Sequence, residues 1–160
     1  MEIRIGVITS SDSCAGGMRE DTAGAALMAM CEERGWLVVG YHVCMDDAEA
    51  LIASITEVAD VDRADVILTC GGTGFGPRDV APEATMLACD RSAPGIAEHI
   101  RAESLRITPR AILSRATAAL RGPVLVINLP GSEKAARECF GFVVDQLEHA
   151  VEMAQGGGHD

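Results

Sequence analysis

A glycine-rich stretch, LTCGGTGFGPRDVAPEAT at residues 68–85, is the part of the sequence best suited to chemistry. Gly71 and Gly76 have the spacing of half a P-loop, but Pro77 and Arg78 stand where a P-loop needs a lysine and a hydroxyl. The stretch also fails the G-x-G-x-x-G dinucleotide pattern. Its successive N–H groups can still hold an anion, with Arg78 beside them. A tight strand-to-helix turn is the alternative interpretation.

Acidic residues that follow two predicted strands offer oxygen ligands for a metal ion. Asp79 follows the third predicted strand, just ahead of a helix expected to begin at Pro82. Asp46 and Asp47 follow the second predicted strand. If these strands are neighbours, the carboxylates converge on one crevice and suit Mg²⁺, which binds through few carboxylates plus substrate phosphates. Helix capping is the alternative, and it explains Asp46 or Asp47 better than Asp79.

Three other loops carry polar residues of the same kind. Asp12, beside Ser11 in SSDS, is suited to contact a ribose or ring nitrogen, or else to close an Asx turn. Ser114 and Arg115 in LSRA suit a phosphate or ring edge, or an ordinary surface salt bridge. The N–H groups of NLPGS offer another anion site. No Ser-His-Asp or Cys-His pattern occurs, so the sequence predicts positioning plus metal electrostatics, as in phosphoryl or nucleotidyl transfer.

Composition narrows the class of protein. The chain has 160 residues and a formal net charge of −11, and Lys134 is its only lysine. This acidic balance disfavours nucleic acid or an anionic membrane as a partner. The six cysteines lack zinc-binding spacing, and the four histidines lack ligand spacing. With no signal-peptide pattern and no apolar run long enough to span a membrane, free thiols in a reducing cytoplasm are expected.

The elements that must position these loops alternate between strand and helix. Apolar runs predict strands over 3–10, 36–44, 64–70 and 122–131, and helices are predicted over 21–35, 46–62, from Pro82, 95–105 and 132–154. This alternation predicts an α/β fold with a mostly parallel sheet, in which ligands lie at the C-terminal ends of the strands. We expect one domain over residues 1–154 and a flexible tail over 155–160.

Together these motifs resemble the molybdopterin-binding family of molybdenum cofactor biosynthesis, the MogA/MoaB-like proteins and the related gephyrin domain. The similar stretches run nearly end to end: ITSSDS, REDTAG, MDD, TCGGTGFGPRDVAPEAT, PGIAEHIR, PRAILSRATAALRGPVLVINLPGS and QLEHAV. The specific part of the resemblance is the order and spacing of GGTG, RD and PEAT, followed by LSRA and NLPGS.

The resemblance implies a three-layer α/β/α domain, usually a homotrimer with a hexamer left open, that transfers AMP from Mg-ATP to molybdopterin. It places the two key acids, as catalytic residues and magnesium ligands, on Asp46 and Asp79. It also implies nucleotide or pterin binding at other positions, which are Ser11, Asp12, Gly71, Gly72, Thr73, Gly74, Arg78, Ser114, Arg115, Gly131 and Ser132. A partner protein that inserts molybdenum is a further implication.

Three functions stay open from the sequence. The preferred one is a molybdopterin adenylyltransferase, and the second is a non-catalytic molybdopterin-binding or scaffolding protein of the same fold. The third is a nucleotide pyrophosphatase of the related competence-damage type, whose members usually carry extra domains. Ala23 and Ala81 stand where relatives often have a hydroxyl side chain, and Met45 stands where a proline often precedes the first key acid. None of these departures removes a charged group.

Overall fold

Six strands form the central sheet of the computed structural model, which describes residues 1–157. They are β1 (Arg4–Ser10), β2 (Leu37–Cys44), β3 (Val66–Cys70), β4 (Arg91–Ser92), β5 (Ala118–Arg121) and β6 (Val124–Leu129). Their order across the sheet is β2-β1-β3-β6-β5-β4. In this order β2, β1, β3 and β6 are parallel to one another. Strand β5 is antiparallel to β6, and β4 is antiparallel to β5. The predicted α/β fold with a mostly parallel sheet is confirmed.

Helices cover both faces of this sheet. They are α1 (Asp12–Ala15), α2 (Thr22–Glu33), α3 (Ala48–Asp60), α4 (Ala81–Ala88), α5 (Pro94–Leu105), α6 (Glu133–Val143) and α7 (Leu147–Ala154), with 3₁₀ segments at Pro109–Leu113 and Val144–Gln146. Buried side chains of α2, α5, α6 and α7 form one hydrophobic core with the sheet, and those of α3 and α4 form a second. The protein therefore has three layers, helix, sheet and helix.

Alternation along the central strands separates the two cores. In β3, Val66 and Leu68 belong to the core under α2 and α6, whereas Ile67 belongs to the core under α3 and α4. Successive strand side chains point to opposite faces, so a strand covered on both sides has no solvent face. Every residue of β3 and β6 is accordingly buried.

Several local features differ from the sequence-based expectation. The short strands β4 and β5 and the one-turn helix α1 were not predicted, because each is too short to show a period. The strand predicted over 122–131 begins at Val124, since a turn at Gly122 joins it to β5. The closing helix predicted over 132–154 is interrupted at 144–146, and α4 begins at Ala81, one residue before Pro82.

The chain beyond α7 closes that helix. The N–H of Gly156 donates to the carbonyl of Met153 at 3.0 Å, and the N–H of Gly157 donates to that of Glu152 at 2.9 Å. These two bonds, with Gly156 at a φ of 93°, make a Schellman helix end. The tail predicted over 155–160 thus starts with a helix cap, and residues 158–160 lie outside the described part of the chain. No helix in residues 1–157 is both long and apolar enough to cross a membrane.

Arg63, just after α3, is the single non-glycine residue with a left-handed φ, 61°, in residues 1–157. That conformation costs a residue with a Cβ about 1–2 kcal/mol. Glycine avoids this cost but adds about 0.5–1 kcal/mol of chain entropy to the unfolded state. We expect Arg63→Gly to raise the free energy of unfolding by on the order of 0.5 kcal/mol, measured by urea denaturation. Arg63→Ala keeps the Cβ and should gain nothing. Equal gains in both variants would contradict a backbone origin.

Candidate active site

Four loops meet at the carboxyl edge of the parallel strands. They follow β1, β2, β3 and β6. The register pairs Ser10 with Cys44, Thr9 with Cys70, and Cys70 with Leu129, so these strands end nearly level with one another. The loops that carry the predicted site residues therefore lie side by side, as expected for a parallel sheet.

The glycine loop, residues 71–76, packs against its neighbours through backbone atoms. The N–H of Gly71 donates to the carbonyl of Leu129 at 3.1 Å, and Gly71 has a φ of 98°. A Cβ at Gly71 would overlap the carbonyl oxygen of Ser10, and a Cβ at Gly131 would lie 3.3 Å from the Cα of Gly71. Only glycine at position 71 allows the ends of β1, β3 and β6 to come this close.

Arg115 holds the glycine loop from one side. Its backbone N–H donates to the Thr73 carbonyl at 2.8 Å, Nε donates to the Gly74 carbonyl at 2.7 Å, and Nη2 donates to the Asp79 carbonyl at 2.7 Å. Nη1 also pairs with Glu83 Oε2 at 2.6 Å. This hydrogen-bonded guanidinium lowers the pKa of the Glu83 carboxyl. These contacts within the protein therefore use the guanidinium of Arg115, which the sequence suggested as a ligand for a phosphate or ring edge.

The contacts of Arg115 decide where the N–H groups of the loop point. No peptide bond in residues 1–157 is cis, and a planar trans peptide directs its C=O and N–H to opposite sides. Because the carbonyls of Thr73 and Gly74 face Arg115, the N–H groups of Gly74 and Phe75 point away from it. Neither N–H donates to another group among the residues described. Two adjacent N–H groups without a partner can donate hydrogen bonds to an anion.

Asp46 is held by the loop that follows β1. The N–H of Asp12 donates to Asp46 Oδ2 at 3.0 Å, and the N–H of Asp46 donates to Asp12 Oδ1 at 2.9 Å. Ser10 Oγ donates to Asp46 Oδ1 at 2.9 Å. Convergence of Asp46 and Asp79 was conditional on β2 and β3 being neighbours, and this condition is not met, because β1 lies between these strands. Asp12 and Ser10 therefore stand between Asp46 and the glycine loop.

Arg78 connects the glycine loop to this acidic pair. Its Nε lies 2.6 Å from Asp12 Oδ2, and its Nη2 lies 2.9 Å from Asp12 Oδ1. This pairing lowers the pKa of the Asp12 carboxyl and raises the pKa of the guanidinium. Asp12 thus makes an ion pair, while the neighbouring Ser11 caps α1 by accepting the N–H of Cys14 at 3.2 Å.

Asp79 lies three residues after the glycine loop and hydrogen-bonds to its last residue, Gly76. Its Oδ2 accepts the N–H of Gly76 at 2.9 Å, and its own N–H donates to the Gly76 carbonyl at 3.0 Å. It does not cap α4, which has no side-chain cap. Asp47 does cap its helix, α3. Capping accordingly explains Asp47, whereas Asp46 and Asp79 make hydrogen bonds within the loops instead.

Asp46 and Asp79 are the candidate ligands for a magnesium ion that is bound partly by substrate. Within residues 1–157, no group of three or more His, Cys, Asp or Glu side chains is arranged to hold a metal alone. Mg²⁺ commonly takes one or two carboxylates and completes its shell with water and substrate phosphates. Asp46 supplies a carboxylate at the carboxyl edge, and Oδ1 of Asp79 makes no hydrogen bond in the described chain. The two carboxylates lie in loops on either side of the loop that follows β1.

Two cavities lie beside the loop that follows β6. One of about 410 Å³ lies between the first turns of α2 and α6 and is lined by Arg19, Glu20, Thr22, Gly131, Ser132 and Glu133. The other, of about 190 Å³, lies between α5 and α6 and includes Ser114 in its lining. Ser132 also caps α6, as predicted, by accepting the N–H of Ala135 at 3.3 Å.

Three residues that hold the site received no role from the sequence: Ser10, Asp21 and Glu83. Asp21 caps α2, and its Oδ2 accepts hydrogen bonds from Thr9 Oγ1 at 2.7 Å and from the Tyr41 hydroxyl. Their signal was their place within the stretches ITSSDS, REDTAG and PEAT, which carry the family resemblance. Their partners are far away in sequence, so the stretches alone did not show these contacts.

The sequence profile of a family described as a probable molybdopterin binding domain matches residues 6–149. The chain belongs to this family. Molybdopterin adenylyltransferase of Helicobacter pylori strain J99 is 36% identical over 156 residues, which are 96% of this chain and 89% of that protein. The Escherichia coli K12 protein of the same name is 36% identical over 157 residues, covering 93% of this chain and 77% of that protein.

Solved structures of similar sequence share the fold. The molybdopterin biosynthesis enzyme MoaB from Thermus thermophilus is 40% identical, has a TM-score of 0.90, and covers 99% of each chain. The family match extends from β1 into α7, so it includes every loop of the candidate site in this molybdopterin-binding domain. The resemblance drawn from the sequence motifs is confirmed.

The backbone contact at Gly71 predicts a position-specific cost for a methyl group. Gly71→Ala should lower the free energy of unfolding by at least about 3 kcal/mol, because Cβ overlap adds to the cost of positive φ. Gly122→Ala is the matched control. Gly122 also has a positive φ, 54°, but nothing lies within 4 Å of the position that a Cβ would take, so a loss of about 1 kcal/mol is expected. Urea denaturation measures both, and equal losses would contradict the packing argument.

Proposed function

We propose that this protein is a molybdopterin adenylyltransferase, which transfers AMP from Mg-ATP to molybdopterin and releases pyrophosphate. The observation that carries the proposal is the pair of outward N–H groups of Gly74 and Phe75, with Arg78, Asp46 and Asp79 at the same edge of the sheet. An acidic protein that binds polyphosphate needs local positive potential, and backbone N–H groups with an arginine supply it. Relatives named molybdopterin adenylyltransferase support the same reaction.

In the proposed reaction, the terminal phosphate of molybdopterin attacks the α-phosphorus of ATP. A P–O bond forms between them, and the bond from the α-phosphorus to the oxygen bridging to the β-phosphorus breaks. Pyrophosphate leaves with that electron pair. Negative charge spreads over the phosphoryl oxygens during such a transfer, and fixed N–H donors stabilise it without reorganisation. The N–H groups of Gly74 and Phe75 fill this role. Asp46 and Asp79 would hold the magnesium ion, whose charge would offset that of the phosphates.

The remaining site residues divide between the two substrates. Gly71, Gly72 and Thr73 belong to the nucleotide and pterin loop, and Ser11 and Asp12 lie beside it in the loop that follows β1. The pterin side comprises Ser114, Arg115, Gly131 and Ser132. The cavity of about 410 Å³ beside Gly131 and Ser132 gives the pterin side space at the first turn of α6. Arg115 acts on the reaction through the loop, because its hydrogen bonds orient the N–H donors.

We further propose a homotrimer in the cytoplasm that passes its product to a molybdenum-insertion partner. Exposed apolar side chains around the end of α5 and the 3₁₀ segment at 109–113 support self-association; they are Leu105, Ile107, Ile112 and Leu113. Burial of such a group against another copy is favourable. Sedimentation equilibrium should give three times the chain mass of 16.8 kDa. A monomer mass would overturn the trimer, and six chains would make the assembly a hexamer.

The two acids predict a sharp loss of activity. Asp46→Asn and Asp79→Asn should each reduce formation of adenylylated molybdopterin by at least about 100-fold, because each removes charge from the magnesium ligands. The assay combines purified protein, molybdopterin, ATP and Mg²⁺, with chromatography of the product. Asp47→Asn is the control. Asp47 lies beside Asp46 but caps α3, and asparagine caps helices equally well, so this variant should stay within about twofold of the unchanged protein.

Other outcomes assign the other functions. Unchanged turnover in Asp46→Asn and Asp79→Asn, with the fold confirmed by circular dichroism, would contradict the two-acid magnesium site. No product from the unchanged protein, with molybdopterin still bound, would make it a binding or scaffolding protein. Release of AMP from ATP without molybdopterin would make it a pyrophosphatase.

A further inference from the structure

The ion pair between Arg78 and Asp12 uses the face of the arginine that recognises phosphate. Nε and Nη2 donate side by side to the two carboxylate oxygens of Asp12, at 2.6 Å and 2.9 Å. The same fork matches two oxygens of a phosphate group. With Asp12 in place, this face of Arg78 cannot bind a phosphate in the bidentate manner.

The charges around the pair favour an exchange. Asp46 and Asp47 also act on Arg78 electrostatically, so without its arginine this end of the sheet would be strongly negative. The side chain of Arg78 is 59% exposed and that of Asp12 is 36% exposed. An exposed ion pair of this kind is weak, worth a factor of about 5 at most. A polyphosphate, with more negative charge than one carboxylate, can displace Asp12.

We propose that Asp12 is an internal competitor for Arg78 and thereby sets the affinity of the site for the nucleotide phosphates. When ATP binds, Arg78 releases Asp12 and takes the triphosphate, and Asp12 keeps its backbone hydrogen bonds with Asp46. This inference rests on the proposed function, because it takes ATP as the ligand. It reverses the role that the sequence suggested for Asp12, which was direct contact with the nucleotide.

The direction in which Asp12→Asn changes the affinity for ATP tests the competition. Isothermal titration calorimetry of the full chain with ATP, at constant Mg²⁺ and without molybdopterin, should show about threefold tighter binding in Asp12→Asn. The asparagine oxygen can still accept the N–H of Asp46, so the link between the two loops is retained. Asp47→Asn is the matched control, because it removes a charge that also acts on Arg78 electrostatically but makes no hydrogen bond to it, and it retains the cap of α3. Its gain should be smaller.

Variants of Arg78 test whether the gain in ATP affinity comes from loss of the ion pair. Arg78→Ala should weaken ATP binding, and the double variant Arg78→Ala/Asp12→Asn should bind no more tightly than Arg78→Ala plus the small gain of the Asp47→Asn control. Three results would overturn the competition. Asp12→Asn could bind ATP more weakly than the unchanged protein, or gain no more ATP affinity than Asp47→Asn. The third is the full gain in ATP affinity from Asp12→Asn when Arg78 is replaced by alanine.

Inorganic tripolyphosphate, titrated in parallel, separates this inference from the proposed function. Tighter tripolyphosphate binding in Asp12→Asn, with ATP bound no better than tripolyphosphate, would support the competition and count against a nucleotide site. Preference for ATP in all variants, with no gain in Asp12→Asn, would overturn the competition and support the nucleotide site. Binding of neither ligand by the unchanged chain would overturn both.

Discussion

The contact between the backbone of Gly71 and the carbonyl of Ser10 is the constraint on which the site depends. It lets the chain leave β3 between the ends of β1 and β6 without a side chain to separate them. Three loops are therefore brought within hydrogen-bonding distance of one another. The positive φ of Gly71 turns the following residues across the edge of the sheet, where Arg115 can reach the carbonyls of Thr73 and Gly74. The rest of the site is built outward from this backbone contact.

A buried polar network supports that contact from below. Asn128, on β6, donates through Nδ2 to the hydroxyls of Thr69 and Thr85, each at 2.9 Å, and its Oδ1 accepts the N–H of Thr117. It thereby joins β3, β6, α4 and the start of β5 directly beneath the glycine loop. A fully satisfied buried network of this kind specifies one arrangement, because any shift leaves a polar group unpaired. Arg115 then fixes the loop above it, so the outward N–H groups have a defined direction.

The sequence predicted much of the fold for local reasons, and it placed the candidate site residues in loops that the structure brings to one edge of the sheet. The continuous apolar runs of β3 and β6 indicated strands that are covered on both faces, and Ser132 indicated the start of α6. Glycines, acids and arginines placed just after strands indicated where ligands bind, because parallel strands end at one edge. The sequence did not predict the antiparallel strands β4 and β5, because strands this short are defined by their pairing partners and not by a pattern of their own.

By itself, the sequence determined the α/β class and membership of the molybdopterin-binding family, because these depend on local composition, periodicity and motif order. Only the tertiary structure decided how the charged side chains are used. Arg115 and Arg78 look alike in sequence, yet one is bound to loop carbonyls and Glu83 while the other pairs with Asp12 at the surface. Strand order put β1 between the strands that precede Asp46 and Asp79, and no local pattern encodes this order. These pairings join residues distant along the chain, so they exist only once the sheet has brought its strand ends together.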